Sequence, residues 1–434
     1  MRTGRIVVVS IYVLVQLIYV IFFPVPFIGD SAIYLSFAQA AISEATYYPN
    51  PSSIYNAWLA APVHINLLIV LLKITNAQVI VLLFNILLNT LQLTLLYKIT
   101  DKLWGRKAAD IAGLLYIVYL SNVGLVLLNL TELPFGVLIL ASFYFYVSSP
   151  SMKNGLLCGL MTGLAIGVRP TGWALFLAFL LVYLINIFLH KQYHIQMAGI
   201  VAGMLLYIAP MGILSQQNIG QFEFSSTTGP ANLIMSANPH AKGVFDHHFF
   251  RTDSVYLTKK TYIERNEYLL EQSKDYIRKN PGKWMALIPR KFYSTFVSDV
   301  WAIPLLLQSR YWDLNTYIKG DRSVKEAFQQ KPVLFRIAFW TLNGWQQMLY
   351  GVIMLFFMYQ VFRLVSGRDF SLEALLLNLF IAAGVFLTIV ASVGNPRYKY
   401  TFMIIAIMLV SRYVADGIQH VVSWKEKKFG KQTT

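Results

Sequence analysis

"IVVVSIYVLVQLIYVIFFPVPFIGDSAIYLSFAQA", residues 6–40, is the stretch on which the fold turns. The run from Ile6 to Phe23 carries no charge and is long enough to cross about 30 Å of hydrocarbon as a helix. Pro24-Val25-Pro26 then stops it. A single acid follows, Asp30, between Gly29 and Ser31, before the chain turns apolar and helix-like again. An acid at a helix start ordinarily caps free backbone N–H groups. Against that reading, Pro24 to Ala61 holds only two acids, Asp30 and Glu44, and no Lys or Arg, which suits a partly buried carboxylate better than a solvated loop.

The rest of the chain agrees with a membrane setting. Of 434 residues, 56% are hydrophobic and 13% charged, against about 25% charged in soluble domains. Several further apolar runs reach span length without strand-like alternation, so an all-α polytopic membrane protein is expected rather than a barrel. The net charge of +16 is read as membrane orientation and contact with anionic lipid, not nucleic-acid binding. Cys158 is the only cysteine, so no intrachain disulfide can form. Arg2 and Arg5 before a long apolar run, with no cleavage site after it, predict an uncleaved anchor.

Basic residues fix the expected topology by the positive-inside rule. Arg2 and Arg5 place the N-terminus in the cytoplasm, and residues 24–76 form a first external loop. Pro62 to Leu72 is too short to span and is expected to lie on the outer surface, leaving Lys73 outside. Spans then follow at 77–97, 108–128, 133–147, 155–168, 173–189, 195–214, 342–362, 372–393 and 400–416. Lys98, Lys102, Arg106, Lys107, Lys153, His190 and Lys191 fall inside, as do Arg363, Arg368 and a tail with Lys425, Lys427, Lys428 and Lys431. The expected count is ten spans in a cell membrane with both termini cytoplasmic, or twelve if 283–340 holds another pair. Three parts result: a transmembrane module 1–214, an external and largely helical region 215–340, and C-terminal helices with a basic tail, 341–434. Within the second part, Tyr262, Leu269 and Tyr276 mark an amphipathic helix stopped by Asn280-Pro281-Gly282, and 283–307 reads as an amphipathic surface segment carrying Arg290, Lys291 and Asp299.

On this topology Asp30, Glu44, Glu132, Arg169 and Arg397 gather at the outer ends of spans. Glu132 in "NLTELPFGVL" opens a helix, where Thr131 is the expected cap and the helix dipole favours an acid. Arg169 in "GVRPTGW" sits at a break between spans, and Arg397 and Lys399 in "GNPRYKY" precede the last one. Such cations can anchor to headgroups or hold a phosphate, for which the planar guanidinium is suited. His240, Asp246, His247 and His248 lie in one loop but lack the spacing of a metal site. No nucleotide-binding loop motif is present.

The order of these motifs resembles the GT-C membrane glycosyltransferases, in particular the glycosyltransferase family 39-like branch of aminoarabinose transferases and protein O-mannosyltransferases. The likeness runs through "GDSAIYLSFAQA", "APVHINLLIVLLKIT", "NLTELPFGVL", "RPTGW", "TTGPANLIMSANPHAKGVF", "DYIRKNPGKWMALIPRKF" and "NPRYKYTFMIIAIML". It implies an inverting transfer of a sugar from a polyprenyl-phosphate donor to a hydroxyl of a lipid, glycan or protein acceptor at the external face, with no required cofactor. It implies Asp30 as catalytic base, Glu44, Glu132, Tyr55 and His64 as acceptor or catalytic support, and Arg169, Arg397 and Lys399 as donor-phosphate ligands. Asn232, Asn238, Pro239 and His240 would form an external loop motif. Ser31 stands where many relatives carry a second acid, so no metal is assigned. The alternatives are a transporter or flippase of a lipid-linked sugar, or a polysaccharide polymerase or ligase. The first would call for charges near mid-membrane and repeated halves, which this sequence does not display.

Overall fold

The structure is a computed structural model that describes residues 2–75, 77–190, 195–309, 314–368 and 370–429. The expected inside residues Lys191 and Lys431 lie outside the described residues. Among the described residues the fold is helical throughout, with one isolated bridge, Val244 to Gly394. The first part contains α1 (Arg2–Phe22), α2 (Asp30–Ser43), α3 (Pro62–Ile74), α4 (Gln78–Val118), α5 (Ser121–Val126), α6 (Glu132–Ser148), α7 (Met152–Val168), α8 (Trp173–His190) and α9 (Gln196–Ile219). Short helices follow: α10 (Gly229–Ile234), α11 (His248–Thr252), α12 (Ser254–Thr258), the long α13 (Tyr262–Lys279), α14 (Pro281–Met285), α15 (Ile288–Phe296), α16 (Ile303–Leu306), α17 (Leu314–Lys319) and α18 (Arg322–Gln329). The chain closes with α19 (Val333–Val365), α20 (Leu372–Ala391) and α21 (Tyr400–Phe429).

Seven helices among the described residues are long and apolar enough to cross a membrane: α1, α4, α8, α9, α19, α20 and the Pro396–Gln419 segment. α6 and α7, with 17 residues each, are shorter apolar helices. α3 has 13 residues, a length of about 20 Å. Two expected spans are joined in α4, which turns at Gly105, where φ is 81° and ψ 173°. That backbone region is open almost only to glycine. Beyond the turn the chain folds back on itself, since Tyr116 donates to Gln92 Oε1 at 2.9 Å and Gly113 faces Leu93 and Tyr97. α19 starts earlier than the sequence pattern indicates because Pro332 opens it, and helical backbone continues past the last apolar run to Phe429.

Two ends of the bundle can be told apart by cross-links. At one end Arg5 pairs with Asp110 at 2.8 Å, Lys102 donates to the Ser148 carbonyl at 2.9 Å, and Gln196 donates to the Tyr146 carbonyl at 2.9 Å. At the other end Gln78 donates to the Val25 carbonyl at 3.2 Å and Asn129 to the Ser31 carbonyl at 3.1 Å. Thus the basic residues near Gly105 and the acid Asp30 sit at opposite ends.

Packing within the bundle uses small residues and a buried polar network, the two devices available where apolar surface gains nothing from leaving lipid. Gly155 and Gly159 of α7 lie against the backbone of Gln196 and Ile200 of α9, while Gly199 and Gly203 of α9 lie against α7. A β-carbon at Gly159 would stand 1.9 Å from the Ile200 carbonyl oxygen, so only glycine permits the approach. In the network, Asn89 donates to Gln16 Oε1 at 2.8 Å and to the Asn122 carbonyl at 3.0 Å. Gln92 donates to the Leu133 carbonyl at 2.7 Å and accepts from Tyr400 at 3.1 Å. Gln92 therefore ties together the starts of α6 and α21, the two helices that carry or adjoin Glu132 and Arg397.

Residues 221–228 strap the short helices to the Asp30 end. Thr227 donates its N–H to the Leu59 carbonyl at 2.9 Å, and Ser225 donates to the Ile166 carbonyl at 2.6 Å. α13 spans Tyr262–Lys279 with Asn280 as its C-cap and a Thr261–Glu264 capping box. Within 283–307, Arg290, Phe292 and Tyr293 of α15 are exposed, whereas Lys291 and Asp299 are buried against polar partners.

Candidate active site

Four charged side chains from distant parts of the chain meet at the Asp30 end. Asp30 is the first residue of α2, and Gly29 before it has φ 55°, a left-handed conformation that aims the helix start. No side-chain capping bond is made at this helix start. The Asp30 carboxylate instead accepts from Arg397 Nη2 at 2.6 Å. Arg397 stands in a tight turn, Pro396–Lys399, and its own N–H, the first in the turn, donates to Asn395 Oδ1 at 3.0 Å. The same guanidinium places Nε 2.8 Å from Glu132 Oε1. Glu132 in turn lies 3.0 Å from Arg169 Nη1. Arg169 follows α7 in extended conformation, and its guanidinium lies 5.9 Å from the Phe135 ring and 5.6 Å from the Tyr398 ring.

The chain Asp30–Arg397–Glu132–Arg169 is electrically balanced, two acids against two bases. Exposure separates their parts: the Glu132 side chain is 1% exposed and that of Asp30 45%. Only Asp30 offers its carboxylate to an incoming molecule, and Glu132 is the buried hinge on which both guanidinium groups are set. Thr131, the expected cap, makes no side-chain bond to the helix start. Each arginine carries five N–H donors, so both retain donors for an anion while holding Glu132.

His64, on α3, is buried with its ring 5.2 Å from that of Tyr34. Burial pushes its imidazole down to about 4, with Asn129 and then Glu132 opposing. It is uncharged at neutral pH.

The other expected residues stand apart. Glu44 ends α2 in an exposed position and accepts from the Ser52 N–H at 3.4 Å; the Ser52 hydroxyl is the main cause holding its pKa below the usual carboxylate value. Tyr55 is 66% exposed, and its carbonyl accepts from Arg265 at 3.1 Å. Asn232 lies in α10. Asn238 is buried, bonding the Ile234 carbonyl at 2.7 Å and the His240 N–H at 2.8 Å. Asn238 and Pro239 line a cavity of about 350 Å³ together with Gln272, Tyr276 and Lys283, and His240 packs on His248 at 5.3 Å.

Lys399 differs most from its expected place. Its ammonium is fully buried, 2.9 Å from Asp299 Oδ1, and donates to the carbonyls of Ser298 at 2.6 Å, Thr295 at 3.0 Å and Pro396 at 3.1 Å. With three donors and these partners, it has none left for a phosphate. Asp299 is outside the expected set of site residues, although it carries the same sequence signal as Asp30: a solitary acid at the edge of an apolar run, here Val300 to Leu307.

Residues 60–213 match the family model described as dolichyl-phosphate-mannose-protein mannosyltransferase. No curated protein sequence matches the chain. Among solved structures, the oligosaccharyltransferase of Archaeoglobus fulgidus in the apo form aligns with 97% of this chain and 52% of its own, at TM-score 0.53 and 13% identity. The chain has the GT-C fold. The same oligosaccharyltransferase in complex with Zn and sulfate aligns with 96% of this chain at TM-score 0.50 and 13% identity, covering 50% of its own. This chain therefore spans about half the length of those structures. ArnT from Cupriavidus metallidurans bound to undecaprenyl phosphate aligns with all of this chain and 82% of its own, at TM-score 0.45 and 13% identity.

Proposed function

We propose that the protein is a membrane glycosyltransferase that moves a sugar from a polyprenyl-phosphate donor to an acceptor hydroxyl at the external face. The observation that carries this reading is the pairing of the exposed Asp30 carboxylate with an arginine pair set on a buried glutamate. The family matched over residues 60–213 is named for a lipid-phosphate-linked sugar. A sugar on a lipid phosphate already has a good leaving group, so the protein must supply a proton acceptor and cations for the departing phosphate.

In the proposed reaction the acceptor oxygen attacks the anomeric carbon as the carbon–oxygen bond to phosphate breaks. The bonding pair leaves with the lipid phosphate, which Arg397 and Arg169 receive. The acceptor proton passes to Asp30, and the anomeric configuration inverts. Glu132 does not touch the reactants; it fixes the two guanidinium groups. His64, being neutral, adds no charge to the phosphate site.

Asp30→Asn tests the assignment in purified protein supplied with a polyprenyl-phosphate sugar and an acceptor extract. Turnover should fall about 10²- to 10⁴-fold, the effect of losing a general base, with donor binding little changed. Wild-type turnover in this variant would refute Asp30 as base. Movement of the sugar-lipid across a bilayer with no new glycosidic bond would mark a flippase.

A further inference from the structure

We infer that Lys399 and Asp299 form a positioning latch that holds Arg397 in the active site; the reaction this serves is the one proposed above. Lys399 lies two residues after Arg397 at the end of the same tight turn. Its ammonium joins the turn to the last turn of α15, through the carbonyl of Thr295, and to the segment that follows, through the carbonyl of Ser298 and the carboxylate of Asp299. Asp299 is itself fixed from other directions. Its second oxygen accepts from Tyr119, from Ser121 at 3.2 Å and from Gln346 at 2.9 Å, and its N–H donates to Gln347 at 3.2 Å. These partners come from the α4–α5 connection, α5 and α19. Further bonds dock the same turn: the Asn395 N–H to the Thr295 hydroxyl at 3.2 Å, and the Gly394 N–H to the Gly243 carbonyl at 3.0 Å.

The position of Arg397 is thus set from behind, by a buried ion pair reaching three separate elements, and from in front by Asp30 and Glu132. A buried pair contributes little net stability compared with a well-packed apolar substitute. What this pair does supply is direction: ammonium and carboxylate must coincide for the turn to seat. Arg397 projects from that turn, so a shift in the seat displaces the guanidinium from the donor phosphate. Lys399 and Asp299 touch neither reactant and act only through Arg397.

The test is a cycle on the full chain in detergent or nanodiscs. Lys399→Met with Asp299→Asn removes both charges together and keeps an amide for Tyr119, Ser121 and Gln346. The double variant should raise the donor KM about tenfold, the effect of misplacing a phosphate ligand, and should lower kcat too, because the displaced guanidinium also serves the departing phosphate. Adding Arg397→Gln to it should raise KM little further, because the guanidinium is already displaced. A purely structural pair predicts instead that the Arg397→Gln effect is as large in the double variant as in the wild type. If the double variant does not fold, Lys399→Gln, which still donates to the carbonyls, should show the same coupling in smaller degree. A cryo-EM structure of whichever variant folds gives a second readout: Arg397 should leave Asp30. Additive effects, or Arg397 still paired with Asp30 and Glu132, would overturn the latch. If the wild-type protein shows no sugar transfer, the transferase reading fails, while the cryo-EM comparison still decides whether the latch positions Arg397.

Discussion

Arg397 shows how much one side chain does here. It bridges an exposed acid and a buried one, with Nη2 of its planar fork on Asp30 and Nε beside Glu132 at once. Lysine has the charge without the fork. Arg397→Gln should therefore weaken binding of polyprenyl phosphate at least about tenfold, and Arg397→Lys should recover only part of the loss. Titrating the purified variants with polyprenyl phosphate measures both; equal affinity in all three proteins would reduce Arg397 to a structural tie. Asp30 and Arg397 could be singled out in the sequence because charges are scarce around them. Their contact could not, since 367 positions separate them.

At the scale of elements, α15 and the α7–α9 pair carry distinct expectations. Lys291 of α15 is buried with its ammonium on the Ile389 carbonyl at 3.0 Å and 5.7 Å from the Trp284 ring. Desolvation pushes its pKa down to about 8 from 10.5. Between those values the unfolded chain binds more protons than the folded one, so stability should rise with pH across about 8 to 10.5 and level off below 8. Thermal unfolding across that range should show the slope in the wild type and lose most of it in Lys291→Met. The α7–α9 contact depends on backbones meeting at glycine. Gly159→Val would drive its side chain into the Ile200 carbonyl and should cost roughly 1–3 kcal/mol or prevent folding. Gly417→Val, at a position with open space around it, is the control. A Gly159→Val protein as stable as the control would show that the helices can separate without loss.

For the whole molecule, the two ends of the bundle are fixed by contacts, and the assignment of inside and outside rests on the distribution of Lys and Arg. In a Cys158→Ser background, single cysteines at exposed Ser52, Lys73 and Lys260 should react with an impermeant thiol reagent in intact cells, and one at exposed Lys102 should not. Labelling at Lys102 with protection at Lys73 and Lys260 would invert the topology. The Asp30 cluster and the short helices strapped over it lie at the end away from Lys102. The external location of the proposed reaction therefore stands or falls with this experiment.

The class of structure is legible in the sequence, because crossing a bilayer as a helix demands long uncharged runs and leaves basic residues in the turns. The sequence also made Asp30, Glu132, Arg169 and Arg397 visible as charges at the edges of apolar segments. Which of these charges meet was decided only by tertiary structure. Lys399 and Arg397 are two residues apart in one motif and looked alike in sequence, yet the tight turn sends one to Asp30 and the other to Asp299. The reason is geometric: neighbouring residues in a tight turn point in different directions, and the partners that receive them lie 367 positions away for Arg397 (Asp30) and 101 for Lys399 (Ser298). The glycine at position 105 is the element-scale counterpart. Its hairpin requires one backbone conformation that hydrophobic periodicity does not record, so two expected spans appear as the two legs of α4.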